Sequence, residues 1–361
     1  NFQNTVRAVS SRVAMDSLQE DLAARIDHDN ASLASAAAFD PYGVYLFVAL
    51  ETSREVAVID AHRGQQLFRI GVGRAPQALA VAPDRRRLYV SNFMDRSVDV
   101  IDLSPLVDQG LASARPLATL ATVGVEKLSA EVFKGKQLFY DAKDTRLARD
   151  SYMSCASCHQ DGGHDGRVWD LTGMGEGLRN TISLRGRGTG HGRLHWSGNF
   201  DEVQDFEGQI RGLAGGTGLM ADDRFLAGTR REPLGLPKAG QSTDLDALAA
   251  YVNSLTAFDP SPARTAAGGL SATAERGSAS FAARCSSCHA GAAFSDSDSR
   301  VLRDIGTIKA SSGQRLGLQL MPGADTPTLR DAWDTAPYLH DGSAPTLEAA
   351  IRGHVDLSLT A

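Results

Sequence analysis

The strongest constraint on this chain is a five-residue pattern that occurs twice: two cysteines three apart, followed at once by a histidine. The two copies are Cys155-Ala156-Ser157-Cys158-His159 and Cys285-Ser286-Ser287-Cys288-His289, and they contain all four cysteines of the sequence. On a short helix both sulfurs face one side, so each can add to a haem vinyl group while the histidine binds the iron. The pattern predicts two covalently bound haem c groups with His159 and His289 as iron ligands. A zinc site or a redox dithiol would not need a histidine after both pairs.

Composition is that of an ordinary soluble globular protein with two or three domains. The chain has 361 residues, 42% of them hydrophobic and 22% charged, and no apolar run reaches the roughly 18 residues of a membrane span. The formal net charge of -6 disfavours nucleic acid as a partner. Haem c is attached outside the cytoplasm, so we predict a periplasmic or extracellular location. No signal peptide is visible and the first residue is Asn1, which suggests a mature or cut piece.

An internal repeat with a period of 42 residues lies ahead of the first motif. Residues 41–48 are matched by 83–90, and residues 55–60 by 97–102. Short alternating runs separated by turns at this period are typical of four-stranded propeller blades. Two blades cannot close a ring, because about four to eight are needed. We therefore predict further blades, either upstream or on a partner chain. The alternative is a small sheet of two hairpins packed on the haem region.

Two resemblances to known families follow from these motifs and their neighbours. Residues 88–92, Leu-Tyr-Val-Ser-Asn, resemble the surface-layer type of propeller blade. Residues 126–361 resemble the bacterial diheme cytochrome c peroxidases and their relatives, which include the diheme enzyme that matures methylamine dehydrogenase and the rubber oxygenases. Besides the two haem motifs, the likeness rests on six runs: Gly135 to Asp141, Gly177 to Thr181, His195 to Gly198, Thr326 to Asp331, Ala336 to Gly342 and Thr346 to Ala350.

The resemblances imply a multidomain chain, with a partial, all-β propeller followed by two mainly α-helical cytochrome c-like domains. We predict an N-terminal segment at 1–35, two blades at 36–115, and haem domains at 126–260 and 262–361. A linker is expected at 103–125, and a helical-looking segment around 15–26. A periodic apolar stripe predicts a core helix that closes the first haem domain; its residues are Leu245, Leu248, Ala249, Val252 and Leu255.

The resemblance also indicates which residues could be the sixth ligands of the two irons. At the second haem, the family position falls on His354, with Met321 as the next candidate. A surface role beside Arg352 is the alternative for His354. At the first haem, His164 is our first candidate. Met174, His191 and His195 also lie in or beyond the interval that holds the family's distal loop, and each could instead be an ordinary polar or core residue. If none binds, the first iron is an open site for peroxide or dioxygen.

Other residues match family positions with known roles. Trp196 matches the tryptophan between the haems, an electron stepping stone. Peroxidases carry a glutamine ten residues and a proton-moving glutamate twenty residues after it, where this chain has Phe206 and Gly216. Glu207, with Gln209 nearby, is the nearest replacement. Asn180 matches an asparagine that helps hold Ca²⁺ in several relatives. Three arginines could pair with haem propionates: Arg179, Arg185 and Arg330.

Three functions are compatible with these features. The chain could be a redox enzyme that reduces H₂O₂, with electrons passed between the haems. It could oxidise a protein or organic substrate with the same high-valent iron, using the propeller as a docking surface. It could also be an electron-transfer subunit with both irons six-coordinate. In each case we expect an electron-donor or electron-acceptor protein as partner. The lost glutamine and glutamate favour the second and third functions over the first.

Overall fold

The computed structural model describes residues 7–186, 188, 192–227, 236–315 and 319–354. The chain divides into two compact units. The first runs up to Ser157 and includes residues 214–218, and the second contains Cys158–Leu213 and the chain from Leu219 onward. The boundary therefore falls within the first Cys-x-x-Cys-His motif. The predicted haem domains at 126–260 and 262–361 stay a prediction.

Antiparallel sheets form the first unit. The strands are β1 Ala8–Val13, β2 Glu20–His28, β3 Ala34–Phe39, β4 Tyr45–Leu50, β5 Glu55–Asp60, β6 Gln65–Gly71, β7 Pro76–Val81, β8 Arg87–Asn92, β9 Ser97–Asp102 and β10 Arg115–Ala121. They make one two-stranded sheet, β1-β2, and two four-stranded sheets, β3-β4-β5-β6 and β7-β8-β9-β10. The four-stranded sheets are the predicted blades, and in the described part of the chain they do not close a ring.

The N-terminal segment differs from its prediction. Residues 15–26 do not form a helix; a turn follows β1, and β2 occupies Glu20–His28. The helical expectation was wrong because β2 pairs with β1 and packs Ile26 against the first blade. Tertiary contacts of this kind override local helical patterning. The second blade also extends beyond the predicted limit at 115, since its fourth strand is β10 and a short helix, α1 Ser104–Gln109, precedes that strand.

The two blades share a hydrophobic core made by facing strand residues. The first blade contributes Phe47, Val56 and Val58, and the second contributes Leu88, Val90 and Ile101, all at most 1% exposed. Burying an apolar side chain of this size contributes about 1.5–3 kcal/mol each relative to leaving it exposed. Face-to-face burial of this kind is therefore the main stabilising interaction of the first unit.

Short helices and long loops form most of the remaining chain. The further elements are α2 Ala130–Phe139 in the first unit, then β11 Val168–Asp170, β12 Leu178–Asn180, α3 Glu207–Gly212, α4 Asp222–Ala227, α5 Thr243–Ser254, α6 Ala272–Arg284, β13 Gln314–Arg315, β14 Gln319–Leu320 and α7 Leu347–Arg352. Helix α5 confirms the predicted core stripe, with Leu245 and Leu248 buried, and the hydroxyl of Ser242 caps it by accepting from the amide of Leu245 at 3.3 Å. None of the described helices has the length and apolar character needed to cross a membrane.

Replacing Phe47 by alanine should lower the free energy of unfolding of the first unit by about 3–5 kcal/mol, because the residue is fully buried between the blades. Phe39→Ala is the matched control, since Phe39 is 60% exposed, and it should cost less than about 1 kcal/mol. Urea unfolding followed by far-ultraviolet circular dichroism measures both. Equal losses for the two variants would contradict the face-to-face packing of the blades.

Candidate functional site

The second Cys-x-x-Cys-His motif follows α6 as a helical turn. The amides of Cys288 and His289 both donate to the carbonyl of Cys285, at 3.2 and 2.9 Å. Nδ1 of His289 donates to the carbonyl of Phe294 at 3.0 Å, so Nε2 is the nitrogen that would bind iron. Burial lowers the pKa of His289, and a positive charge on His354 adds to this lowering. A lowered pKa favours the neutral ring, the form that binds a metal.

The first motif has a matching histidine arrangement. Cys155–Ser157 forms a 3₁₀ turn, and Nδ1 of His159 donates to the carbonyl of Gly163 at 3.2 Å. Burial raises the pKa of the Cys155 thiol to about 11. No disulfide joins any of the four cysteines. Both motifs thus carry unoxidised cysteines and an imidazole oriented through Nδ1 by a backbone carbonyl, which is the arrangement that suits an axial haem ligand.

The turn that contains Arg179 is buried and tightly held. Gly177 has φ +75°, and a Cβ there would lie 2.6 Å from the carbonyl oxygen of Ser311, so glycine is required for this approach. Arg179 donates to Glu176 Oε2 at 3.0 Å and to the carbonyl of Ser312 at 2.7 Å. Its Nε is buried without a hydrogen-bond partner among the described residues. That nitrogen is a donor with which Arg179 could pair with a haem propionate.

Asn180 lies between two other segments of the second unit. Its amide donates to the carbonyl of His340 at 2.7 Å, and its Nδ2 donates to the carbonyl of Pro337. Its Oδ1 is buried and has no hydrogen-bond partner in the described part of the chain. A buried, unpaired amide oxygen is the type of ligand that Ca²⁺ prefers, although a complete site needs several more oxygens.

Trp196 is joined to the same turn by its indole. Nε1 of Trp196 donates to the backbone carbonyl of Asn180 at 2.8 Å. The carbonyl of Trp196 accepts from the amide of Asp325 at 2.8 Å. The indole is therefore held on the turn that contains Asn180, and the backbone of the same residue is tied to the segment at Asp325.

A buried relay runs from Glu176 to the histidine before Trp196. Nδ1 of His195 donates to Oδ1 of Asn199 at 2.7 Å, and Nδ2 of Asn199 donates to Oε1 of Glu176 at 3.2 Å. The ring of His195 packs on Phe200 and Phe206, with centroid distances of 4.3 and 4.9 Å. Burial lowers the pKa of His195. The residue also has φ +66°, a strained conformation for a non-glycine residue, and such strain concentrates at functional sites.

Glu207 has a different environment from the one predicted for a proton-moving acid. Its side chain is fully buried. Oε1 accepts from Arg211 Nε at 2.7 Å and from the amide of Met220 at 3.2 Å, while Oε2 accepts from the amide of Leu219 at 2.9 Å. Both carboxylate oxygens are therefore engaged in holding the chain around Leu219. In this structure, the contacts of Glu207 stabilise the fold of the surrounding chain.

His164 is held at both ring nitrogens. Nδ1 accepts from the amide of Gly166 at 3.1 Å, and Nε2 donates to the carbonyl of Asp334 at 2.9 Å. Binding iron would require one of these hydrogen bonds to break. Of the other first-haem candidates, Met174 ends a 3₁₀ turn and is half-buried, and His191 lies outside the described residues.

The candidates for the second iron are both partly or fully enclosed. His354 follows α7, is half-buried, and donates from Nδ1 to the carbonyl of Ala350 at 2.8 Å. A positive charge on His354 also contributes to lowering the pKa of His289. Met321 is 1% exposed, and its sulfur lies 3.5 Å from Nη2 of Arg179.

The remaining predicted arginines each contact the chain just after a haem motif. Nε of Arg330 donates to the carbonyl of Ala292 at 3.0 Å, three residues after His289. Nε of Arg185 donates to the carbonyl of Asp161 at 3.1 Å, two residues after His159. These positions are compatible with the predicted role at haem propionates.

Sequence reasoning missed the acid and the amide in the buried relay. Glu176 stands three residues before Arg179, a spacing typical of a local ion pair. This spacing was the one feature of the sequence that could have pointed to Glu176. Asn199 carries no motif of its own. His340 lay in a family run but received no role; it is 1% exposed and its Nε2 lies 2.7 Å from the hydroxyl of Ser312.

Comparisons with known proteins agree with the two haem motifs. Residues 129–216 match the family described as di-haem cytochrome c peroxidase, and residues 323–355 match the family described as RoxA-like, cytochrome c-like. The hydrazine synthase subunit gamma of Kuenenia stuttgartiensis is 30% identical over an alignment of 258 residues, which covers 60% of this chain and 68% of that protein. The methylamine utilization protein MauG of Methylorubrum extorquens is 28% identical over 249 residues, 62% of this chain and 68% of that protein.

Two solved structures are similar over part of their length. A Kuenenia stuttgartiensis hydrazine synthase structure has a TM-score of 0.41 at 25% identity. The matched region covers 64% of this chain and 80% of the chain in that structure. A MauG-like protein associated with microbial copper homeostasis has a TM-score of 0.43 at 24% identity, with 64% and 75% covered. The sequence matches, together with the two motifs, show that this chain belongs to the MauG-like, di-haem cytochrome c peroxidase family.

Proposed function

We propose that the chain is a periplasmic di-haem oxidoreductase that reduces hydrogen peroxide or oxidises another substrate, with electrons passed between its two haems. The observation that carries this proposal is the matching geometry of His159 and His289, each donating from Nδ1 to a nearby backbone carbonyl. Family membership supports the redox class. The electron-donor or electron-acceptor protein is expected to dock separately, because the chain carries no other cofactor motif.

The residues for two haem groups are present. Haem, when bound, would supply one-electron redox chemistry. Four cysteines would attach the two groups: Cys155, Cys158, Cys285 and Cys288. His159 and His289 would bind the irons. Arg179 and Arg330 would pair with propionates, and Asn180 would offer its unpaired Oδ1 to a Ca²⁺ ion. Trp196, whose indole is held by the carbonyl of Asn180 and whose backbone is held by Asp325, would be the aromatic residue that passes electrons between the haems.

The proton chemistry is better served by the relay than by Glu207. Nδ1–H of His195 donates a hydrogen bond to Oδ1 of Asn199, so the unprotonated Nε2 would be the atom that accepts a proton. Asn199 and Glu176 hold the ring in this tautomer and would stabilise the imidazolium that forms. A peroxide proton taken by Nε2 could then be returned to the departing oxygen. Glu207 would have to give up its contact with Arg211 to accept and return this proton.

Electron transfer without catalysis is the second candidate. The feature that favours it is His354, which stands at the family's sixth-ligand position and contributes to lowering the pKa of His289, since a second imidazole would complete the coordination of that iron. In that function both irons are six-coordinate, and the blades serve as a docking module. The two candidates differ in whether the first iron keeps an open position.

Replacing His195 by glutamine should lower the rate of peroxide reduction by about 10²–10⁴-fold, the usual contribution of a positioned general acid-base. His164→Gln is the matched control and should leave the rate unchanged, because both nitrogens of His164 serve backbone contacts. His195→Gly should recover activity with added imidazole. Stopped-flow kinetics with H₂O₂ measure all three variants.

Glu207→Gln separates the relay from the residue predicted from the sequence. The Glu207→Gln variant should be less stable, because it loses the charged contact with Arg211. It should keep most of the rate of peroxide reduction. A large loss of rate in soluble, folded Glu207→Gln with none in His195→Gln would refute the relay. A wild-type protein with two low-spin irons and no peroxide reaction would support electron transfer.

Replacing His354 by methionine should raise the reduction potential of the second haem and keep its iron six-coordinate, because a thioether favours ferrous iron more than imidazole does. His354→Gly should open that site to added imidazole. Redox titration and electron paramagnetic resonance measure the two effects. Unchanged spectra and potential in both variants would place the sixth ligand elsewhere, with Met321 tested next.

A further inference from the structure

The two haem motifs differ in how their spacer residues are surrounded. The turn Cys155–Ser157 lies in the first unit together with the blades, and Ala156 between the cysteines is fully buried. At the second motif, the equivalent of Ala156 is only half-buried, and Ser287, the equivalent of Ser157, is exposed. The first attachment turn is therefore enclosed by protein, whereas the second borders solvent.

The hydroxyl of Ser157 ties this turn to the first blade. It accepts a hydrogen bond from the amide of Ser154 at 2.9 Å and lies 2.7 Å from the hydroxyl of Ser32. Ser32 stands two residues before β3 begins and is 6% exposed. Two hydroxyl oxygens at this distance share a hydrogen bond. The spacer of the first motif is thus bonded to a residue 125 positions away along the chain.

Ser53 holds both Ser32 and the chain that leads into the motif. It lies in the turn between β4 and β5 and is 1% exposed. Its hydroxyl accepts from the amide of Ser32 at 3.1 Å and donates to the carbonyl of Ser151 at 3.1 Å. Ser151 has φ +58°, a left-handed conformation that is unfavourable for a residue other than glycine. The bond from Ser53 helps to keep the chain in this conformation.

The turn between β4 and β5 also binds the chain between α2 and the motif. The amide of Ala142, a fully buried residue, donates to the carbonyl of Thr52 at 2.9 Å. Beside it, Arg54 forms an ion pair with Asp141, whose side chain is nearly fully buried. Two stretches of chain ahead of the first histidine ligand are therefore held at the same end of the first blade.

The spacer hydroxyls of the second motif make local contacts in the described part of the chain. The hydroxyl of Ser286 donates to the carbonyl of Ala282 at 2.6 Å, four residues earlier. The hydroxyl of Ser287 lies 3.7 Å from the sulfur of Cys288, its neighbour. The long-range bonds at Ser157 therefore distinguish the first motif from the second.

We propose that Ser32 and Ser53 are positioning residues for the first haem. By holding the turn Cys155–Ser157, they fix the sulfur of Cys155 to which that haem would be attached, and they keep water out of the turn. This inference rests on the proposed haem at the first motif, and it gives the first blade a part in setting a redox property. Water near a haem favours the ferric state, which carries the additional positive charge, so the potential depends on how closely the turn is held.

Ser32→Ala and Ser157→Ala each remove one partner of the same bond, and both are tested in haem-loaded protein. The hydroxyl left behind is buried without that partner and draws water into the turn. We expect the equilibrium of the first haem to move about ten-fold toward ferric iron, which corresponds to a potential lower by about 59 mV. Spectroelectrochemical titration measures the shift, and the second haem should keep its potential. The double variant should differ little from either single variant, since all three lack the same bond.

Hydrogen exchange gives a second readout that does not depend on the iron. The amides of residues 155–157 should exchange about ten-fold faster in Ser32→Ala, Ser157→Ala and Ser53→Ala. If Ser32→Ala fails to fold, Ser157→Ala carries the same test, because it changes only the spacer. Faster exchange with an unchanged potential would leave these serines a purely structural role, and this result would overturn the inference.

Two serine variants are the matched controls. Ser287→Ala changes the equivalent spacer residue of the second motif, and Ser35→Ala removes a hydroxyl that donates to the carbonyl of Pro76 at 2.9 Å in the first unit. Neither should change the potential of the first haem. The inference also fails if Ser35→Ala shifts that potential as far as Ser32→Ala does. A wild-type first motif without haem, detected by pyridine haemochrome, would refute the proposed function and this inference with it.

Discussion

Each haem-motif histidine donates a hydrogen bond from Nδ1 to a backbone carbonyl, at Gly163 for His159 and at Phe294 for His289. This one contact fixes the tautomer and the direction of the ring, so that Nε2 is the nitrogen for the iron. The proposed haem sites depend on it, because a freely rotating imidazole would not keep Nε2 pointing in one direction. The same contact at both motifs indicates two sites of the same kind.

A buried ion pair in the second unit ties the Arg179 turn to two other segments. Arg179 and Glu176 lie 3.0 Å apart and are both nearly fully buried. Arg179 ties the turn to Ser312, and Glu176 ties it through Asn199 to His195. Removing one partner would leave an unpaired buried charge, which is strongly destabilising. A pair in this position therefore couples the conformation of His195 to that of the Arg179 turn.

Much of the fold could be predicted because it has a periodic or motif-based origin. The 42-residue repeat gave both blades, and the stripe at Leu245 and Leu248 gave α5. The prediction of an N-terminal helix was wrong because Ile26 packs against the first blade as part of a strand. The local sequence pattern does not show this tertiary contact. Glu207 was predicted from its distance along the chain to Trp196. Its true partners, Arg211 and the amides of Leu219 and Met220, depend on how the chain returns after α3. Asn199 and Glu176 meet only through tertiary folding.

We propose that this chain holds two haem groups covalently, one at each Cys-x-x-Cys-His motif. Mass spectrometry of denatured protein, with a pyridine haemochrome assay of the same sample, measures this directly. We expect the mass of the polypeptide plus two haems, and an absorbance equal to two haem c groups per chain. A double variant, Cys285→Ala with Cys288→Ala, should retain one haem c group per chain. A single haem in the wild-type protein, or zinc in place of iron, would contradict the account.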